Sequence, residues 1–181
     1  MNIVQPIRDP AMIEEIKEFF GAKSKRNRMM FVFGINTGYR IQDMLKVRKR
    51  DVMGEHIVMI EMKTGKKRWL QVNPVLRREL KEYTANLNDD DYLFPSRQGK
   101  NKPIKRDMAY KIMNEAAEEF KLKDIGTHTM RKTFGYHMYQ KTKDITLVRK
   151  LLNHASEAIT FRYIGMDQDM MDSAMNRFGG L

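Results

Sequence analysis

"LLNHASEAITFRYIG", residues 151–165, places His154 nine residues ahead of Tyr163 near the end of a chain that has only four histidines. Upstream, Asp144 suits the N-cap of a helix whose Ile145, Val148, Leu151 and Leu152 form an inward stripe. That helix ends at Asn153, and asparagine tolerates the left-handed turn that presents His154 just past it. A second short helix, 156–164, then carries Tyr163 near its C-terminus. Both side chains fit plain packing roles. They also fit a tyrosine hydroxyl that attacks and a histidine that assists.

Composition narrows the choice. The 181 residues suit one domain, 1–181, with 41% hydrophobic and 31% charged residues, as in an ordinary soluble domain. The formal net charge of +11 and pI near 9.8 are less ordinary and attract polyanions, nucleic acid first among them. Ribosomal and membrane-surface proteins share that charge. With no cysteine, disulfides, thiolate catalysis and Cys-ligated zinc are excluded. No apolar leader opens "MNIVQPIRDP", and no run approaches the roughly 18 apolar residues of a membrane span. A cytoplasmic protein with no membrane partner is therefore expected.

Working outward, Asp9-Pro10 opens a helix with Ile13, Ile16 and Phe20 on one stripe. Ser24 caps a second, containing Met30, Phe31 and Ile35, which stops at Thr37-Gly38; a short helix spans Ile41 to Val47. The period then changes. His56 to Met62 and Lys67 to Val72 read as strands joined through Lys63-Thr64-Gly65-Lys66, a hairpin over about 56–72. Asn73-Pro74 opens a helix through about Tyr83, "YLFPS" approaches a basic loop, and helices follow at roughly 106–120, 128–140, 145–153, 156–164 and 167–178. The expected class is mainly α (α+β), with one small antiparallel sheet.

Two further patterns accompany the opening stretch. In "TGYRIQDMLKVRKRDV", Arg40 follows a glycine-marked helix end at the start of the next helix, where free N–H groups favour phosphate. In "HTMRKTFGYHMY", His128 and Arg131 are three apart and share a helix face, one a proton-transfer group and the other a fixed cationic fork. Alone, each also fits a solvated or packed side chain, and His137 reads as packing. Zinc held by His128, His137 and His154 matches no common spacing and would meet repelling cations. No phosphate-cradling glycine loop is present, so neither metal nor nucleotide cofactor is expected.

Together the patterns resemble the catalytic domain of the tyrosine recombinases, the phage-integrase family. That family's pattern is an arginine in a T-G-x-R box, a lysine on a β-hairpin, H-x-x-R, L-G-H, and a tyrosine nine residues after the last histidine. Arg40, Lys63, His128, Arg131, His154 and Tyr163 fill those positions here, in order and with the 26-residue step from His128 to His154. The resemblance covers about residue 10 to the C-terminus, with Asn153 in place of the glycine. It implies a helical catalytic domain acting on double-stranded DNA through a covalent 3′-phosphotyrosyl intermediate, without metal or ATP. It also implies Arg40 and Arg131 on the phosphate, His128 as base for Tyr163, His154 as a phosphate hydrogen bond, Lys63 as general acid, and Asp43 supporting Arg40. The family's usual N-terminal core-binding domain has no counterpart in the sequence, so an accessory protein or partner recombinase is expected to complete the clamp. A type IB topoisomerase shares the chemistry but not the box spacing, and a DNA-binding regulatory module that lacks autonomous recombination is the competing class.

The basic runs would then track the phosphates, with Lys25, Arg26, Arg28, Arg48, Lys49, Lys66, Lys67, Arg68, Lys102, Lys105, Arg106 and Lys132 as the expected contacts. In the tail, Met166, Met170, Met171, Ala174, Met175 and Phe178 recur at helical spacing behind Asp167, Asp169 and Asp172. This stripe is expected to join copies into a homo-oligomer on DNA and to fold back on its own domain otherwise.

Overall fold

The Asp9 carboxylate accepts from Ala11 N–H at 2.8 Å and Pro10 takes the first turn, so helix α1 (Pro10–Lys23) begins where a proline costs no hydrogen bond. This computed structural model describes residues 4–62, 65 and 67–180. Ser24 closes α1 and caps α2 (Lys25–Thr37), which ends in left-handed Gly38, φ 61°. The next helix, α3 (Ile41–Met44), stops short of the expected Val47. A 3-10 turn at Lys49–Asp51 follows instead, because the Asp51 carboxylate accepts from the Arg48 N–H at 2.8 Å.

Strands β1 (His56–Ile60) and β2 (Lys67–Gln71) pair antiparallel, His56 opposite Gln71 and Ile60 opposite Lys67, slightly shorter than expected. Asn73 caps α4 (Pro74–Tyr83); α5 (Arg106–Glu119), α6 (Thr127–Thr142), α7 (Ile145–Leu152), α8 (Glu157–Ile164) and α9 (Met166–Phe178) complete the chain. Bridges between Arg48 and Tyr92 and between Pro95 and Pro103 fix the basic loop before α5, pairings that no local pattern in the sequence signals.

Two apolar clusters position the site. The larger has Phe20, Phe31, Phe33 and Phe94 fully buried at its centre, and Met130 on α6 belongs to it. One turn on, Phe134 belongs to a second cluster with Val148, Leu152, Ile164 and Met166, which binds α7 and α8 to α6. Close approach depends on Gly135: a Cβ there would lie 2.6 Å from Ile164 Cγ2 and 3.0 Å from Leu152 Cδ1. Helix α6 therefore joins the body of the domain to the helices carrying His154 and Tyr163.

The tail departs from expectation. Of the α9 stripe only Met166 is buried, while Met170, Met171, Met175 and Phe178 are 50%, 54%, 67% and 57% exposed. Left-handed Gly165, φ 77°, turns the helix away from the body, and only its first turn is held, by Arg8 to Asp169 at 3.3 Å and to Gly165 O at 3.2 Å. The stripe does not fold back. No described helix is long and apolar enough to cross a membrane, and the described residues contain no metal-ligating cluster of three.

Candidate active site

Arg40 sits at the N-cap of α3, directly after the turn that Gly38 and Tyr39 make. Arg131 approaches the same turn from α6. It is only 2% exposed, donates through Nη1 to Gly38 O at 2.5 Å, and donates through Nη2 to Leu152 O at the end of α7. One buried fork thereby holds two of the sequence boxes together. Asn153 takes the left-handed conformation, φ 50° and ψ 52°, and turns the chain so that His154 follows α7 at once.

His128 and Tyr163, 35 residues apart, meet across the α6–α8 contact with His128 Nδ1 3.2 Å from the Tyr163 hydroxyl. The His154 ring stands edge-on to the Tyr163 ring at 4.7 Å, and its Nδ1 lies 3.2 Å from Thr160 Oγ1. Four of the expected site residues, His128, Arg131, His154 and Tyr163, thus converge with Arg40 at one end of α6. Lys63 lies outside the described residues, as do Thr64 and Lys66. His137 is half-buried, its Nε2 bonded to Ile7 O at 2.9 Å, in keeping with packing.

The electrostatics favour neutral histidines beside an un-ionised tyrosine. Burial, reinforced by Arg131 and Arg40, holds the His154 pKa down at about 4, with Glu61 opposing. Desolvation and the cations Arg131, Arg106, Lys132 and Arg40 lower that of His128. Burial raises the Tyr163 hydroxyl, while Arg131 and Arg40 pull it back. Burial lowers Arg131 to about 10, which leaves it charged at neutral pH. A neutral imidazole against a phenol O–H is an acceptor–donor pair ready to pass a proton.

The acid beside Arg40 is not the expected one. Asp43 is buried, and its carboxylate accepts from the Met62 N–H at 3.0 Å. Glu61, 1% exposed, instead pairs through Oε2 with Arg40 Nη1 at 2.9 Å and through Oε1 with Arg68 Nη1 at 3.2 Å. The strand period carried the signal: Ile57, Met59 and Glu61 fall in one phase, and all three are buried.

The expected phosphate track is narrower than the charge runs. Arg26 donates to Pro95 O and Asn27 Oδ1, Arg28 forks onto Glu79, Arg48 bonds Asp90 O and Tyr92 Oη, and Lys49 bonds Leu87 O. Arg68, besides pairing with Glu61, donates to Leu151 O and lies over the Tyr39 ring. Lys132 is 8% exposed, with Nζ 5.0 Å from the Tyr163 ring centre. These six heads are committed to holding the fold and site, a use that a count of charges cannot see. Lys25, Lys67, Lys102, Lys105 and Arg106 are exposed. Lys102 and Lys105, with Arg26, Arg97 and Lys111, border a groove of about 710 Å³.

The sequence model of the phage integrase family matches residues 9–169. The chain belongs to the phage integrase family. Its likeness to "Probable integrase/recombinase YoeC" of Bacillus subtilis (strain 168) is 47% identity over 182 residues, 100% of both chains. Tyrosine recombinase XerA of Pyrococcus furiosus is 27% identical over 171 residues, 91% of this chain and 59% of that protein. Among solved structures, XerA recombinase superposes with TM-score 0.76 at 18% identity, covering 98% of this chain and 66% of that one. XerH site-specific recombinase, bound to a palindromic difH substrate in a post-cleavage complex, gives 0.73 at 21%, covering 98% and 54%. At those identities the superpositions establish the fold. This phage integrase chain thus spans all of YoeC and between half and two thirds of XerA and XerH, and its fold is that of a tyrosine-recombinase catalytic domain. Membership carries a tyrosine recombinase/integrase role in site-specific recombination.

Proposed function

We propose that this chain cleaves and rejoins strands of double-stranded DNA through a covalent 3′-phosphotyrosyl intermediate. The observation that carries the reading is the Tyr163 hydroxyl 3.2 Å from His128 Nδ1, beside buried Arg131. In the forward step Tyr163 Oη bonds to the scissile phosphorus and the bond from phosphorus to the 5′ oxygen breaks. The phenolic proton passes to His128, and the departing 5′ oxygen takes a proton from Lys63. Reversal with a 5′ hydroxyl of another strand rejoins DNA and frees Tyr163, so bond energy is conserved with no nucleotide or metal consumed.

Negative charge gathers on the non-bridging oxygens as the tyrosine attacks. Arg40 and Arg131 are fixed cations that need not reorganise as that charge develops, which is usually the largest catalytic contribution. Arg131 is already tied by two carbonyls, so it meets phosphate with its remaining N–H groups. His154 adds a hydrogen bond to a phosphate oxygen. Exposed Lys25, Lys67, Lys102, Lys105 and Arg106 supply the non-specific phosphate contacts. The open α9 stripe supports assembly of several copies on DNA, each tail seated on a neighbour, with methionines able to repack between environments.

The test is a suicide substrate: a duplex selected by this protein from a random library, then nicked so that religation fails. The wild type is expected to accumulate a denaturant-resistant protein–DNA adduct, and Tyr163→Phe to form none. An adduct with Tyr163→Phe removes the tyrosine from its role. Tight binding without any wild-type adduct assigns the chain to DNA-binding regulation instead.

A further inference from the structure

Asn153 has the backbone of a left-handed turn, a conformation that glycine adopts at less cost, yet its side chain is not idle. Its Nδ2 donates to Glu61 Oε2 at 2.7 Å, the same oxygen that Arg40 Nη1 reaches at 2.9 Å. The other oxygen, Oε1, accepts from Arg68 Nη1 at 3.2 Å, and Arg68 in turn donates to Leu151 O. One carboxylate, 1% exposed, therefore joins the end of β1, the start of β2, the Arg40 turn and the turn that delivers His154.

We propose that Glu61 and Asn153 are positioning residues for the cleavage reaction: Glu61 aims Arg40, and the Asn153 amide locks the His154 turn to it. The reasoning is geometric. Arg40 and His154 belong to elements 114 residues apart in the chain and must close on one phosphate. Arg131 ties the two turns by their backbones, through Gly38 O and Leu152 O. The Glu61–Asn153 bond ties the functional side chain of the first turn to the residue just before that of the second. A buried anion also needs its donors, so loosening one of them redistributes the others. The inference rests on the cleavage reading above.

Three variants test it in single-turnover cleavage, with DNA affinity and melting measured alongside. Asn153→Gly keeps the turn and deletes the amide; adduct formation is expected to slow about tenfold at unchanged DNA affinity, the effect of losing one bond to a charged acceptor. Glu61→Gln keeps the shape and removes the charge, and a larger loss is expected. Asn153→Asp sets a second carboxylate at hydrogen-bond distance from Glu61, whose repulsion favours a shared proton while Arg40 and Arg68 oppose it. Its rate relative to wild type is therefore expected to be low near pH 8 and to recover toward pH 5.5, a profile that a merely structural role would not produce. In the free protein, the His154 ring resonances should shift or broaden in Asn153→Gly. Wild-type rates for Asn153→Gly, a constant Asn153→Asp ratio across pH, or unmoved His154 resonances overturn the proposal. Absence of cleavage by the wild type sinks the cleavage reading separately, and the resonances still decide whether the amide holds the turn.

Discussion

Gly135→Ala should damage chemistry far more than folding. The added Cβ would lie 2.6 Å from Ile164 Cγ2, 3.0 Å from Leu152 Cδ1 and 3.7 Å from Val148 Cγ1. Carbon atoms rest about 3.5–4.0 Å apart, so Ile164 must retreat by about 1 Å, and its β-branched methyl cannot swing aside as a long side chain would. Ile164 adjoins Tyr163 on α8, so the nucleophile moves with it and the 3.2 Å contact to His128 opens beyond hydrogen-bond range. Alanine favours a helix interior by about 1 kcal/mol over glycine, against about 1–3 kcal/mol for overpacking. The net loss of up to about 2 kcal/mol should lower the melting temperature by at most roughly 8 °C in a chain of this size. A misplacement of about 1 Å in the reacting group costs on the order of a hundredfold in rate. Thermal melts and single-turnover adduct formation on the nicked duplex read the two effects separately. A variant that melts higher than wild type and cleaves at full rate would refute the argument that Gly135 sets the α6–α8 spacing.

Three other outcomes are expected. The His154 pKa is depressed to about 4, so the unfolded chain binds more protons below about pH 6.5; this group's stability is complete above that pH and is lost as pH falls through 4, by about 1–2 kcal/mol, which His154→Gln should remove from the pH dependence of chemical denaturation. Arg28→Ala leaves half-buried Glu79 without its fork and should cost about 1–2 kcal/mol of stability at unchanged DNA affinity, whereas Lys105→Ala should leave melting alone and reduce the salt slope of DNA binding by about one; the reverse pattern in melts and gel shifts would contradict the division of the basic residues. Deleting 167–181 removes a helix with little buried surface, so melting should barely change while cooperative assembly on DNA is lost; a large fall in melting with intact cooperativity would contradict assembly through the tail.

Much of this was legible from residue order alone. Capping and periodicity locate the helices because Asp9, Ser24, Asn73, Asp144 and Ser156 each accept from a backbone N–H at the start of one. That His128, Arg131, His154 and Tyr163 would meet was legible because their chemistry and spacing are joint constraints. What escaped was long-range pairing. That Glu61 and not Asp43 meets Arg40 depends on how β1 is laid against α3, which no local pattern encodes. The commitment of Arg28 to Glu79, 51 residues away, is equally invisible in a run of cations. The tail failed differently: its apolar stripe was read correctly, but periodicity identifies a face in need of cover without saying what supplies it.

The segment ahead of α1 runs as a strap across the functional end of the molecule. Gln5 N bonds Asp124 O, Ile7 N bonds Thr133 Oγ1 on α6, and Arg8 grips the Gly165 carbonyl at the bend between α8 and α9 and Asp169 one turn beyond it. The Arg8 guanidinium therefore couples the first described residues to the last helix at Gly165, two positions from the nucleophile. Load applied at either terminus, by a fused protein or by a neighbour drawing on the tail, arrives at the same bend. A tether meant to leave the tyrosine undisturbed belongs at neither of these two elements.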